Sequence, residues 1–221
     1  MLSNKRTENV IKNINVKNSY FVGSGYTGGL VGGTWSSSIA TASLTIENSS
    51  VANSYIYNTH TINGGAGAMI GQFGSSSGSP ILTVNNCLIY GNQLGNAAGG
   101  VDAAITGSSG GINNNSNYRK IKNSVFLDIS PATGDYWAGN CVSNPIYTNC
   151  YTDTAYIGAN APTYVTGVLE KISPNDAKGI AAKTAMPLLD WDVWFATTSY
   201  PVLPEFHNIQ TTLTQSRTDW R

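Results

Sequence analysis

The sequence predicts an all-β chain folded as a solenoid of about five stacked coils. Three observations lead there. A six-residue motif centred on asparagine returns along the chain, a glycine-flanked apolar segment returns between its copies, and the composition is apolar enough to fold although poor in charge. Charged residues make up 11% of the 221, against roughly 25% in an ordinary globular protein. Apolar residues make up 41% and the net charge is zero, the opposite of the low-hydrophobicity, high-charge signature of disorder.

The motif reads β-branched or aromatic, polar, Asn, small, any, apolar. It occurs as Val16-Lys17-Asn18-Ser19-Tyr20-Phe21, Ile46-Glu47-Asn48-Ser49-Ser50-Val51, Val84-Asn85-Asn86-Cys87-Leu88-Ile89 and Ile121-Lys122-Asn123-Ser124-Val125-Phe126. A degenerate copy is Tyr147-Thr148-Asn149-Cys150-Tyr151-Thr152. Steps between these asparagines are 30, 38, 37 and 26 residues, as in a solenoid whose loops vary while its strands keep register. Strand side chains alternate faces, yet the positions two before Asn and one after it both look interior. A left-handed bend at Asn, which that residue tolerates better than most, resets the alternation. Asn18, Asn48, Asn86, Asn123 and Asn149 are therefore expected to stack as a structural ladder, with amides hydrogen-bonded along it.

The second element reads Gly28-Gly29-Leu30-Val31-Gly32, Gly67-Ala68-Met69-Ile70-Gly71 and, more loosely, Ala103-Ala104-Ile105-Thr106-Gly107. A short apolar pair between small residues predicts a brief buried strand between tight bends. It lacks the lysine of a phosphate-binding loop. The pairing of these segments with the asparagine strands resembles the GLUG-motif repeats of large bacterial surface proteins, including adhesins and some IgA-cleaving peptidases. The resemblance covers residues 7 to 204. It implies a right-handed parallel β-helix, displayed outside the cell.

Residues 1–172 are thus assigned to the repeats, 173–204 to a C-terminal cap and 205–221 to a tail or linker. In the cap, Ser173-Pro174-Asn175-Asp176 predicts a helix start, with Ser capping and Asp near the positive end of the dipole. Ala177, Ile180, Ala181 and Thr184 supply its stripe and Pro187 stops it. Trp191 and Trp194 follow, then Tyr200-Pro201-Val202-Leu203-Pro204. This helix and Trp-rich plug is expected to close the open end of the stack. The chain enters its first repeat soon after Met1, so it is expected to belong to a longer chain, its export signal lying elsewhere.

Little points to catalysis. The carboxylates of the repeats are Glu47, Asp102, Asp128, Asp135 and Asp153, of which Asp128 and Asp153 are the pair that phase brings nearest. Paired acids of the kind a β-helix hydrolase or lyase needs are otherwise absent, and no histidine or acid spacing matches a metal site, so no cofactor is expected. Three cysteines make no disulfide framework, and whether Cys141 and Cys150 pair stays open. Arg119-Lys120 with Lys122 is a small basic cluster expected on the outer face of a strand start. No basic footprint suits nucleic acid and no apolar run is long enough to insert in a membrane. Aromatic residues in loops, Tyr26, Trp35, Tyr57, Tyr118, Tyr136 and Trp137, favour binding. Beside Asn, Ser and Thr they suit a neutral glycan or a host protein, with Trp35, Tyr57 and Trp137 as candidate ligand contacts. The expected function is a non-catalytic stalk or adhesion module. A polysaccharide lyase or glycoside hydrolase, and a phage or viral fibre segment, are the alternatives.

Overall fold

The computed structural model describes residues 8–36, 43–61, 64–75, 80–97, 101–108, 119–129, 146–153 and 166–203. Among them the chain is all-β apart from one four-residue helix, α1 (Ala182–Ala185). The strands fall into layers. The first holds β1 (Glu8–Lys12), β2 (Asn15–Lys17), β3 (Tyr20–Gly23), β4 (Tyr26–Gly28) and β5 (Val31–Ser36). The second holds β6 (Ser43–Ala52), β7 (Tyr55–Asn58), β8 (Gly65–Gly67) and β9 (Ile70–Ser75). The third holds β10 (Ile81–Tyr90), β11 (Gln93–Asn96), β12 (Val101–Ala103) and β13 (Thr106–Ser108). Then come β14 (Arg119–Lys122) with β15 (Val125–Leu127), β16 (Ile146–Asp153) and β17 (Thr166–Ile172).

Each strand pairs in parallel with its counterpart in the next layer. An eight-stranded sheet runs through β1, β6, β10, β14 and β16, with β2, β15 and β17 alongside. Three three-stranded sheets follow the orders β3-β7-β11, β4-β8-β12 and β5-β9-β13. Inward columns are apolar: Ile46, Val84 and Ile121 in one, Val51, Ile89 and Phe126 in another, all 2% exposed or less. Each such side chain contributes about 1.5–3 kcal/mol by leaving water. The same alternation corrects the basic cluster: Lys120 and Lys122 face out, but Arg119 turns inward in register with Leu82 and is 1% exposed.

Asparagine makes the corners. Asn48, Asn86, Asn123 and Asn149 have φ of 46°, 51°, 46° and 53°, in the left-handed region. Asn86 Nδ2 donates to Asn48 Oδ1 at 3.0 Å, and Asn123 Nδ2 donates to Asn86 Oδ1. Asn18 belongs elsewhere. Strand β1 pairs Lys12 with Glu47, and the Asn13 N–H donates to the Glu47 carbonyl, so Asn13 (φ 59°) is the first-layer residue above Asn48. Asn18 stands in a second corner column with Asn53, Gly91 and Asp128, all at positive φ. Two bends five residues apart in each layer, both made by Asn in the first two layers, explain why the motif alone chose the wrong one.

Beyond the first layer, where Ile14 follows Asn13, the residue after each of these asparagines is small for a reason. Past a left-handed bend its N–H is turned off the ladder, and a side chain of the next layer accepts it instead: Ile14 N–H to Ser49 Oγ at 3.2 Å, and Cys87 N–H to Ser124 Oγ at 3.1 Å. Each hydroxyl or thiol in turn donates to the carbonyl two residues before it. The second corner repeats the device, with Ser19 N–H on Ser54 Oγ.

The centre of each glycine-flanked segment is a bend between two strands rather than a strand between two bends. Gly29 and Leu30 lie between β4 and β5, as Ala68 and Met69 lie between β8 and β9. Their glycines allow backbone to touch backbone across the corner. A Cβ on Gly67 would stand 1.8 Å from the Ile70 carbonyl oxygen and 2.6 Å from the Gly107 nitrogen, and one on Gly28 2.2 Å from the Val31 oxygen. No side chain fits there.

The C-terminal segment departs most from expectation. Ser173 does cap, accepting the Asp176 N–H at 3.1 Å, but no helix propagates from it. Gly179, at φ 69°, breaks the run and gives its N–H to the Ser199 carbonyl. One turn cannot recover the cost of helix nucleation, and Ile180 is 79% exposed rather than on a buried stripe. Nor does the segment plug the end of the stack. It lies against the outward face of the large sheet, where Ala177, Ala182, Met186, Leu189, Trp194 and Leu203 pack on Ala52, Leu88, Tyr90, Val125, Leu127 and Tyr151. Trp194 Nε1 donates to the Asn123 carbonyl at 3.2 Å, the Asp190 N–H to Asn123 Oδ1 at 2.7 Å, and the Leu188 N–H to the Tyr151 hydroxyl at 2.8 Å.

Candidate functional site: an outward tyrosine row

Strands β3, β7 and β11 pair in register, Tyr20 with Tyr55 and Gln93, Val22 with Tyr57 and Gly95. Alternation sends Phe21, Ile56 and Leu94 to the core and leaves the other two columns facing out. The Tyr20 and Tyr55 rings lie parallel, with centroids 4.7 Å apart and planes 9° from one another. Tyr57 continues the row from Tyr55 at 5.9 Å and 13°. Tyr57 spreads over Gly95, where a Cβ would meet its ring at 2.5 Å. Tyr20 is 61% exposed and Val22 49%.

Partial burial, and after it the neighbouring phenols of Tyr20 and Tyr57, raise the Tyr55 pKa. Tyr55 therefore stays neutral at physiological pH, within a row made of phenols. The row offers aromatic surface, hydroxyl donors and acceptors, and no charge. Beneath it Asn58 is fully buried and bonded on every side: its Oδ1 accepts the N–H groups of Gly25 and His60, and its Nδ2 donates to Asn96 Oδ1. This internal amide pair fixes the end of β7 and so the pose of Tyr57.

Of the aromatic contacts expected from sequence, Tyr57 lies in this row, on a strand rather than a loop. Trp35 sits in β5 with its backbone opposite Gly74; its side chain, and all of Trp137, Tyr118 and Tyr136, lie outside the described residues. Tyr20 and Tyr55 escaped the sequence reading. The signal was present: Asn18-Ser19-Tyr20 and Asn53-Ser54-Tyr55 are the same step after the second corner. Glu47 faces outward, and Asp128 occupies a corner with its backbone one step beyond the register of Asp153. Asp135 lies outside the described residues, as do the side chains of Asp102 and Asp153. Among the described residues no three His, Cys, Asp or Glu side chains gather as a metal site, and no helix is long and apolar enough to cross a membrane.

No family model matches the chain, and no curated protein does. Among solved structures it is similar to a crystal structure named a "putative immunoglobulin A1 protease" from Bacteroides ovatus, with 20% identity and a TM-score of 0.57. That likeness covers 89% of this chain and 57% of the other, so this chain spans little more than half of its neighbour's length. At such identity the shared property is the fold.

Proposed function

We propose that the chain is a right-handed parallel β-helix acting as a non-catalytic stalk and adhesion module of a longer, surface-displayed or secreted bacterial protein, and that the tyrosine row contacts a neutral glycan. The observation that carries the reading is the row itself: three parallel phenol rings and Val22, outward on a sheet whose other face is core. Sugar rings present C–H faces for stacking and hydroxyls for exchange with phenols, and carry no charge that this surface would have to answer. The layer-by-layer parallel register supports the β-helix, and right-handed crossovers are the strong default for parallel strands. The charge-poor body supports a passive rod.

The test is a neutral-glycan array probed with the purified chain and its Tyr55→Ala and Tyr57→Ala variants. Specific binding that falls at least about tenfold in both, about 1.4 kcal/mol, is the expected result. Binding that neither substitution weakens would move the contact elsewhere. Progressive loss of array glycan would show cleavage and end the non-catalytic reading.

A further inference from the structure

We infer that the tyrosine row carries a methyl-sized subsite on Val22, and that the neutral glycan it takes presents a 6-deoxyhexose there. The inference rests on the glycan reading above and adds which sugar the row selects. Strands β3, β7 and β11 give this face six outward positions in register: Tyr20, Tyr55 and Gln93 in one column, Val22, Tyr57 and Gly95 in the other. None of the six is charged. In the first column Tyr20 and Tyr55 each turn one ring face to the other, at 4.7 Å. The second column is arranged differently. There the Tyr57 ring leans onto Gly95, where a Cβ would stand 2.5 Å from its Cδ2 and 2.9 Å from its Cε2.

That lean uncovers Val22. An aromatic ring laid over a β-branched neighbour is a favourable cross-strand pair, yet Val22, paired directly with Tyr57, stays 49% exposed. The glycine in the third layer gives the ring a closer seat on the opposite side. What remains is a notch with an isopropyl floor. Tyr20 lies two residues back along the strand, Tyr57 across from it and Tyr55 on the diagonal. Neighbours on one sheet face stand about 6.6 Å apart along a strand and about 4.8 Å across. Such a space admits a methyl group and excludes a pyranose ring, while the surrounding phenols can serve the hydroxyls of the sugar outside it.

Chemistry selects the occupant. A hydroxyl lowered onto Val22 leaves water for an apolar floor and loses its hydrogen bonds. A methyl group gains from the same move. A 6-deoxyhexose differs from the parent hexose by that exchange, with methyl in place of hydroxymethyl at C6. The methyl of an N-acetyl sugar comes instead with an amide whose N–H and carbonyl need partners of their own. Among the six positions the one side-chain amide, Gln93, stands two layers from Val22.

The test uses the full chain, labelled at its valine methyl groups and titrated by NMR with two pairs of methyl glycosides. L-fucose is set against L-galactose, and L-rhamnose against L-mannose; each pair differs only in the C6 hydroxyl. In at least one pair the 6-deoxy sugar should bind about fourfold tighter or more, the effect of burying one methyl group. The Val22 signal should shift most. Val22→Thr keeps the branched shape, adds a hydroxyl to the floor and should erase that preference. Gly95→Ala pushes the Tyr57 ring back towards Val22 and should weaken binding of the 6-deoxy sugar several-fold, with circular dichroism showing the fold kept. Equal binding within both pairs, a preference that Val22→Thr leaves intact, or tighter binding of N-acetylglucosamine would overturn the subsite and leave the row as a glycan contact. A chain that binds no neutral glycan at all would end both readings.

Discussion

The outward face between the two asparagine corners is built in opposite ways at the two ends of one sheet. In the first layer its positions are Asn15 and Lys17, half-buried and polar. In register with them, the third and fourth layers carry Leu88 with Tyr90 and Val125 with Leu127, all 5% exposed or less. Backbone, register and inward columns are the same; what differs is the C-terminal segment lying over the later layers. Inward positions answer to a core common to every layer, while outward positions answer only to their own neighbour.

The most damaging way to break this comparison is to attack what both ends share. Gly67→Val places side-chain atoms inside the Ile70 and Gly107 backbones, and should cost more than about 4 kcal/mol in chemical denaturation. Gly33→Ala, whose Cβ meets nothing nearer than 3.7 Å, should leave stability within about 0.5 kcal/mol. Trp194→Ala separates the two ends. It empties a site 2% exposed and removes the bond to Asn123, for an expected loss of about 3–5 kcal/mol. Amide exchange should show the loss of protection in β10, β15 and β16 first and in β1 last; uniform loss would mean that the segment holds the whole stack.

Finer substitutions sharpen the corner assignment. Asn86→Gly keeps the left-handed bend but strands the amides of Asn48 and Asn123, costing about 1–3 kcal/mol. Asn53→Gly lies in the column where Gly91 already serves, and should cost less than about 1 kcal/mol. Equal costs would mean that the ladder hydrogen bonds contribute nothing. The smallest effect vanishes at neutral pH. Cys87 and Cys150 are buried free thiols whose pKa desolvation pushes up from 9.0 to about 12. Below pH 9 both folded and unfolded thiols are protonated and stability is full; it falls as pH rises from 9 towards 12, because the unfolded thiols ionise first. In a Cys141→Ser variant, native protein at pH 8 should resist alkylation at both remaining sites.

Much of the corner chemistry was legible because it is local. A left-handed Asn followed by a small hydroxyl or thiol is a requirement of one bend, and the bend writes it into consecutive residues. Asn18 was misassigned for the same reason. Asn18 is followed by the small Ser19 and Asn13 by Ile14, so the local pattern favours Asn18, and only pairing of β1 with β6 shows that Asn13 lies above Asn48. The tyrosine row was half legible: the spacing from Asn-Ser to Tyr repeats, but a ring's neighbour across the strands depends on register, not on sequence distance.

The C-terminal segment marks the boundary most clearly. Its capping Ser173, its prolines and its tryptophans are visible as residues, and they announce a segment that covers apolar surface. Which surface it covers is not local information, since both an open end and a flank expose apolar side chains. By itself the sequence determined an all-β chain of asparagine corners, small residues after them and an apolar interior, since each follows from the conformation or burial of a few neighbouring residues. Tertiary structure alone decided which asparagines share a column, which tyrosines share a face, and that the C-terminal segment shields Leu88, Tyr90, Val125 and Leu127. Those are relations between residues of different layers, 26 or more apart in the chain, fixed by the register of whole strands and the packing of one layer on another.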